Sequence, residues 1–412
     1  MGENRWMAGQ AQGTRRRTVV LGLAGLLLPT ACGAPEPRDT ASRDVQRVLD
    51  RRAGALLGRD EPGYLAALAP GAGLLRESER ARFRNLTQVP LRSWEYRLTE
   101  LRRDGDRATA RAELRYRFEG YDSAPVTTSR AMELTRHDGR WYVVADRPDQ
   151  GAAQQLWEQG PVTAVRGTRS LVLGTGQERQ RLREIAATAD RGVPAVDAAW
   201  PVRWSGRVVV LVPGSLDGMA ALLGASSAGY RGIAAVTTGV SGAQGSAPAD
   251  RVIINPEAYG AIGEFGQRVV LTHETAHVAT RAHTSPATPM WLSEGFADWA
   301  AYRGTGRTPD RIAPELHRAV LRGELPAILP EDKEFGFAGD SERLARAYEG
   351  GWAACTMIAE RWGEERLTAF YRAVGAGKDR ESATKQAMHR ELGVTPEEFT
   401  DDWRDYVRRS LS

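Results

Sequence analysis

The sequence predicts an α+β protein with two folded parts, and three observations carry that expectation. Between residues 91 and 145, apolar and polar side chains alternate with the period of strands. Between about 162 and 254, short apolar runs are interleaved with stretches of helical spacing. From residue 263 onward the pattern is mostly helical. A chain of 412 residues is long enough for two or three domains. With 42% apolar and 26% charged residues, it suits a water-soluble globular protein rather than a polytopic membrane one.

The first 31 residues read as a targeting segment. The basic run Arg15-Arg16-Arg17 precedes an apolar run at 19–28, which is too short to span a bilayer. Leu28-Pro29-Thr30-Ala31-Cys32 follows and resembles a bacterial lipobox, with Pro29 in place of the usual aliphatic residue. The resemblance implies that Cys32 is lipidated and becomes the new N-terminus. The chain would then be held by its lipid on the extracytoplasmic face of the cell membrane. An uncleaved signal anchor and plain secretion are the alternatives. Arg16-Arg17-Thr18-Val19-Val20 fits a twin-arginine export signal or an ordinary basic leader. The net charge of +4 lies largely in this segment, where Arg5, Arg15, Arg16 and Arg17 face Glu3. That leaves no electrostatic case for nucleic acid. With Cys32 modified, only Cys355 remains, in the apolar stretch 352–358, where it reads as a small core residue.

Residues 32–41 form a tether, and the first domain spans 42–150. Val45, Val48, Leu49, Leu56 and Leu57 recur at helical spacing, the first of three helical pieces. Four strands follow. Trp94, Tyr96 and Leu98 alternate, as do Ala110, Ala112, Leu114, Tyr116 and Phe118. Asp104-Gly105-Asp106 and His137-Asp138-Gly139 read as hairpin turns, with His137 a turn residue. Helices followed by a curved antiparallel sheet are similar to the NTF2-like cone fold. The resemblance implies a binding or spacer module, and no catalytic constellation is visible there.

Residues 151–160 connect to a second domain at 162–412. Strands are expected at 169–173, 208–212, 233–237 and 252–254, and helices at 177–200 and 216–223. The first of these helices carries a Gly-Val-Pro interruption. An α+β lobe is thus followed by an α-helical lobe.

The chemistry lies at His273-Glu274-Thr275-Ala276-His277, an H-E-x-x-H pattern. On a helix the two histidines sit one turn apart on one face, so both imidazoles can reach one ion. Glu274 projects beside that ion, where it can accept a proton from water. Val269, Val270 and Val278 supply an apolar side, and no Pro or Gly interrupts 267–283. His283 is a rival ligand, but Thr280 stands where a metzincin needs glycine, so His283 is expected at a helix end.

Farther on, Trp291-Leu292-Ser293-Glu294-Gly295-Phe296-Ala297-Asp298 resembles the segment after the H-E-x-x-H helix in gluzincin metallopeptidases of the peptidase MA-like kind. The resemblance covers roughly 165–410 and implies a thermolysin-like fold and one Zn2+ per chain. It makes Glu294 the third ligand beside His273 and His277. Asp298, four residues on, could hold the free nitrogen of a zinc histidine or be a solvated charge. Ala347-Tyr348-Glu349-Gly350-Gly351-Trp352 reads as the start of a helix ending near Trp362-Gly363. The resemblance gives Tyr348 the role of hydrogen-bonding the oxyanion, with a buried structural tyrosine as the alternative.

The implied activity is hydrolysis of a peptide or protein substrate, with Glu274 as general base. The substrate is expected to pair with an edge strand, at 233–237 or 252–254. A rival class is a non-catalytic envelope binding or assembly lipoprotein that keeps a structural metal site. An intact Glu274 speaks against it, because a structural site needs no base.

Overall fold

In the computed structural model the described residues are 7–10, 40–238, 249–336 and 340–412. Cys32 and the apolar run 19–28 lie outside them. Among the described residues, no helix is long and apolar enough to cross a membrane. Strands are numbered from β1 (Met7–Gln10). The chain divides into two compact units, one holding 40–119 and 125–152 and the other 7–10, 120–124 and the chain from 153 onward.

In the first unit, helix Thr40–Leu57 buries Val45, Val48, Leu49, Ala53 and Leu56 along one stripe. Helices Glu61–Leu65 and Gly73–Gln88 follow, and the Asp60 side chain caps the former. Strands β2 (Leu91–Asp104), β3 (Arg107–Phe118), β4 (Val126–His137) and β5 (Arg140–Pro148) then form an antiparallel sheet in sequence order. Alternation along β3 sends Ala108, Ala110, Ala112, Leu114, Tyr116 and Phe118 into the core. At the β4–β5 turn, Asp138 and Gly139 both have positive φ, 48° and 76°. A two-residue turn matching strand twist requires this, which is why an Asp-Gly pair stands there.

The interior of this unit also holds charge. Glu79 Oε2 accepts from Arg52 Nη2 (2.5 Å) and Tyr64 OH (2.8 Å). Asp146 accepts from Arg130 Nε (2.8 Å), Tyr96 OH (3.1 Å), Arg52 and Arg82. Burial alone would raise the Asp146 carboxyl, but the three guanidiniums hold it far below the usual carboxylate range.

In the second unit, β6 (Val162–Arg166), β7 (Ser170–Thr175), β8 (Val208–Val212), β9 (Ile233–Thr238) and β10 (Arg251–Ile254) join β1. The sheet order is β1-β9-β10-β8-β7-β6. Strands β7 and β8 are buried along their whole length, as expected where helices cover a parallel pair. Helix Arg179–Ala199 connects them and is continuous through Pro194. The expected interruption is absent because Ala189, Gly192, Val193 and Val196 are buried there, and packing outweighs one lost backbone bond. The connector at 151–160 holds a single 3-10 turn, Leu156–Glu158. The expectation of an edge at 233–237 or 252–254 is overturned for both, since β10 lies between β9 and β8 and β9 lies between β1 and β10. Strand β9 pairs with β10 on one side and with β1, in parallel, on the other.

Beyond the sheet the chain is helical. Helices Glu264–Thr280, Met290–Tyr302 and Ser341–Trp362 surround the candidate site. Helices Glu364–Gly375 and Pro396–Ser410 help close the core around Trp200, Phe296, Trp352, Tyr371, Phe399 and Trp403.

Candidate metal centre

Helix Glu264–Thr280 starts with an acid in its first turn, which suits the positive end of the helix dipole. Its second half is buried almost all round, although it contains three threonines and two histidines. Thr272, Thr275 and Thr280 satisfy their hydroxyls within the helix, each donating to the carbonyl four residues back. The histidines face a second helix.

That helix, Met290–Tyr302, supplies Glu294 and Asp298 one turn apart. His273 Nε2 and His277 Nε2 lie 3.0 Å from each other. Each is 3.3 Å from Glu294 Oε2. One atom from each of His273, His277 and Glu294 falls within a 4.8 Å span, so the three could hold a metal ion. His273 Nδ1 lies 2.7 Å from Asp298 Oδ1. A carboxylate only accepts, so Nδ1 carries the proton and donates, leaving Nε2 with its lone pair turned inward. Three electron-rich atoms therefore converge, an arrangement stable only with positive charge among them.

The electrostatics agree. Burial disfavours a charged His273, yet Asp298 and Glu294 overcome it and raise its proton affinity well above the ordinary histidine value. Burial would also raise Glu294, but His277 and His273 bring it down to about 2. For Glu274 burial prevails, and its carboxyl is pushed up despite the nearby histidines and a hydrogen bond from Thr237. Glu274 Oε1 and Glu294 Oε1 are buried with no hydrogen-bond partner among the described residues.

The third helix corrects an expectation. The helix expected to start at Ala347–Trp352 begins earlier, at Ser341, so Tyr348 lies inside it. The glycines of the expected start lie well inside this helix, and Gly351 is where it touches Met290–Tyr302. A Cβ on Gly295 would lie 2.2 Å from the Gly351 carbonyl oxygen, and one on Gly351 would lie 2.6 Å from Trp291 O. This close approach brings the Tyr348 ring to 6.4 Å from that of His273, with Phe335 packed on its other side. Burial, then Glu294, Asp298 and Glu274, keep the phenol protonated and so a donor.

His283 ends the metal helix in a 3-10 turn and packs on Trp200, apart from the cluster. Cys355 is a buried core residue. Sequence reasoning missed Thr237, at the end of β9, whose Oγ1 donates to Glu274 Oε2 at 2.5 Å. No local motif marks it, because the contact is made across the sheet.

No family model matches this chain, and no curated protein does. Among solved structures, it is similar to LTA4 hydrolase from yeast, with 13% identity over 67% of this chain and 43% of that one, and a TM-score of 0.36. It is also similar to an M1 zinc metallopeptidase from Deinococcus radiodurans, with 15% identity over 66% of this chain and 58% of that one, and a TM-score of 0.30. The chain thus spans less than two thirds of either peptidase. A third likeness is to a function-unknown protein from Mycobacterium tuberculosis, with 19% identity over 30% of this chain and 80% of that one, and a TM-score of 0.23. TM-scores this low fix neither fold nor activity, which rest on the site's own geometry.

Proposed function

We propose that the protein is a zinc-dependent peptidase, held at the extracytoplasmic face of the cell membrane by a lipid on Cys32; processing there would remove β1 and leave β9 at the edge of its sheet. The observation that carries the enzymatic reading is the pairing of two features in one buried site. One is a three-atom ligand set, and the other is a neighbouring carboxylate oxygen, Glu274 Oε1, left without a partner among the described residues. A purely structural metal site needs the first and has no use for the second.

The donor set suits zinc. Ligands about 2.0–2.2 Å from a tetrahedral ion lie about 3.3–3.6 Å apart, and the separations here are 3.0, 3.3 and 3.3 Å. Three protein ligands of the His2Glu kind leave one position open, as catalytic zinc sites do. Bound there, zinc would polarise the scissile carbonyl and acidify a water.

The remaining work belongs to side chains. Glu274 takes a proton as the water oxygen bonds to the carbonyl carbon, and delivers it to the amine nitrogen as the C–N bond breaks. Tyr348 donates to the carbonyl oxygen as that oxygen gains negative charge. Asp298 fixes the tautomer of His273. The first unit, with three helices leading into an antiparallel sheet, supports an NTF2-like cone that binds or spaces.

Two measurements test this. The purified full chain should hold about one zinc and cleave members of a peptide library. Glu274→Gln should keep the zinc and the fold while turnover falls by roughly 10²–10⁴-fold. Wild-type turnover by this variant would end the mechanism. For the anchor, Cys32→Ser should release the protein from membranes or block its processing; unchanged membrane partition and mass would exclude lipidation.

A further inference from the structure

The two oxygens of the Glu274 carboxylate have different surroundings. Oε2 accepts a 2.5 Å hydrogen bond from Thr237 Oγ1, while Oε1 has no partner among the described residues. The Thr237 hydroxyl also lies 3.1 Å from the Glu274 carbonyl oxygen. It has one proton, and the shorter contact to a charged acceptor takes the larger share. Thr237 sits on β9 in register with Val252 of β10, so the hydroxyl is carried by the sheet and not by a loop. Its β-branched side chain is stiff at χ1. The terminal torsion of a glutamate, by contrast, is soft. Without a partner on one oxygen, a carboxylate could present either oxygen, or neither, to a water.

We propose that Thr237 is the positioning residue of the general base, anchoring Oε2 so that Oε1 alone exchanges the proton. This rests on the peptidase reading above. In the cycle, Oε1 receives the water proton as the new C–O bond forms and gives it to the amine nitrogen as C–N breaks. Oε2 keeps the Thr237 hydrogen bond throughout, so the carboxylate is restored with no other donor needed.

The test uses the zinc-loaded full chain with Thr237→Val, which keeps shape and loses the hydroxyl, and Thr237→Ser, which keeps the hydroxyl. A lost hydrogen bond to a charged group corresponds to about 10- to 100-fold in rate. Thr237→Val should therefore lower kcat by about that factor with KM and zinc content unchanged, and Thr237→Ser should recover most of it. A readout besides activity is the crystal structure of the metal-free Val variant, in which Glu274 should leave its rotamer or spread over several. The proposal is overturned if the Val variant keeps wild-type kcat, if the Ser variant is as slow as Val, or if the Val variant loses zinc. Should the wild type cleave no peptide at all, the peptidase reading falls. The Glu274 rotamer then decides the positioning role by itself, and an unmoved side chain would refute it.

Discussion

Both units bury a cluster of ionisable side chains, and the two clusters are built on opposite principles. In the first unit, Glu79 and Asp146 meet Arg52, Arg82 and Arg130, and all four carboxylate oxygens have a guanidinium beside them. In the second, Glu294 Oε2 faces two imidazole nitrogens, while Glu294 Oε1 and Glu274 Oε1 face no donor. The first cluster supplies its own countercharge. The second keeps acceptors unused, which is costly in a dry interior unless a cation and a water complete it. Burial alone thus does not mark a functional site; the sign of what is missing does.

The sharpest way to break this contrast is to remove one carboxylate from each cluster. Glu294→Ala leaves two protein ligands, so zinc should fall far below one per chain and peptide turnover should vanish, while the fold persists. Retention of stoichiometric zinc by elemental analysis would show that Glu294 is no ligand. Asp146→Ala should have the converse effect. It removes the carboxylate that Arg52, Arg82 and Arg130 share, and removing a partner from a buried ion pair costs about 3–5 kcal/mol. Denaturant unfolding should report that loss, and zinc content in the protein that still folds should stay at wild type. A neutral Asp146→Ala would mean that water reaches the arginines.

How much of this was legible in the sequence follows from how local each signal is. The alternation along β3 and the Asp138-Gly139 turn are nearest-neighbour patterns and could be read directly. His273 and His277 were legible because a helix converts a spacing of four into a shared face. Glu294 required resemblance, because nothing in the chain between them says that two helices meet there. Thr237 was invisible because its contact with Glu274 spans 37 residues and depends on sheet order. The start of helix Ser341–Trp362 was misread for a related reason. Gly350-Gly351 is a breaker by propensity, yet here it is a contact surface, because Gly295 of the neighbouring helix leaves no room for a Cβ. The seven-residue ionic cluster of the first unit went unseen because its arginines, two on helices and one on a strand, read as exposed until their burial is known.

The smallest expected effect concerns pH, and it sharpens the comparison by setting Asp146 against a second buried acid. Glu349 accepts from the backbone N–H groups of Glu315 (3.2 Å) and Leu316 (2.6 Å), in the first turn of helix Pro314–Leu321. Burial outweighs those bonds and pushes its carboxyl up to about 8. A group whose folded value lies above its unfolded one holds its proton longer in the folded state. Its contribution is complete below the unfolded value of about 4.3 and is lost as pH rises toward about 8. Asp146 is depressed, so its contribution is complete above the unfolded value and is lost as pH falls below it. The two acids therefore erode stability from opposite sides. Between pH 5 and 8, unfolding free energy in wild type should decline by an amount on the order of a few kcal/mol at most, since the two N–H bonds partly support the charged form. Glu349→Gln keeps an acceptor for one N–H and cannot ionise, so its stability should be flatter across that window. Hydrogen exchange localises the effect, because the Glu315 and Leu316 amides should lose protection toward pH 8 in wild type relative to the Gln variant, after correction for intrinsic exchange. A wild-type stability curve that is flat or rising between pH 5 and 8, unchanged by Glu349→Gln, would show that the helix N-terminus holds Glu349 charged.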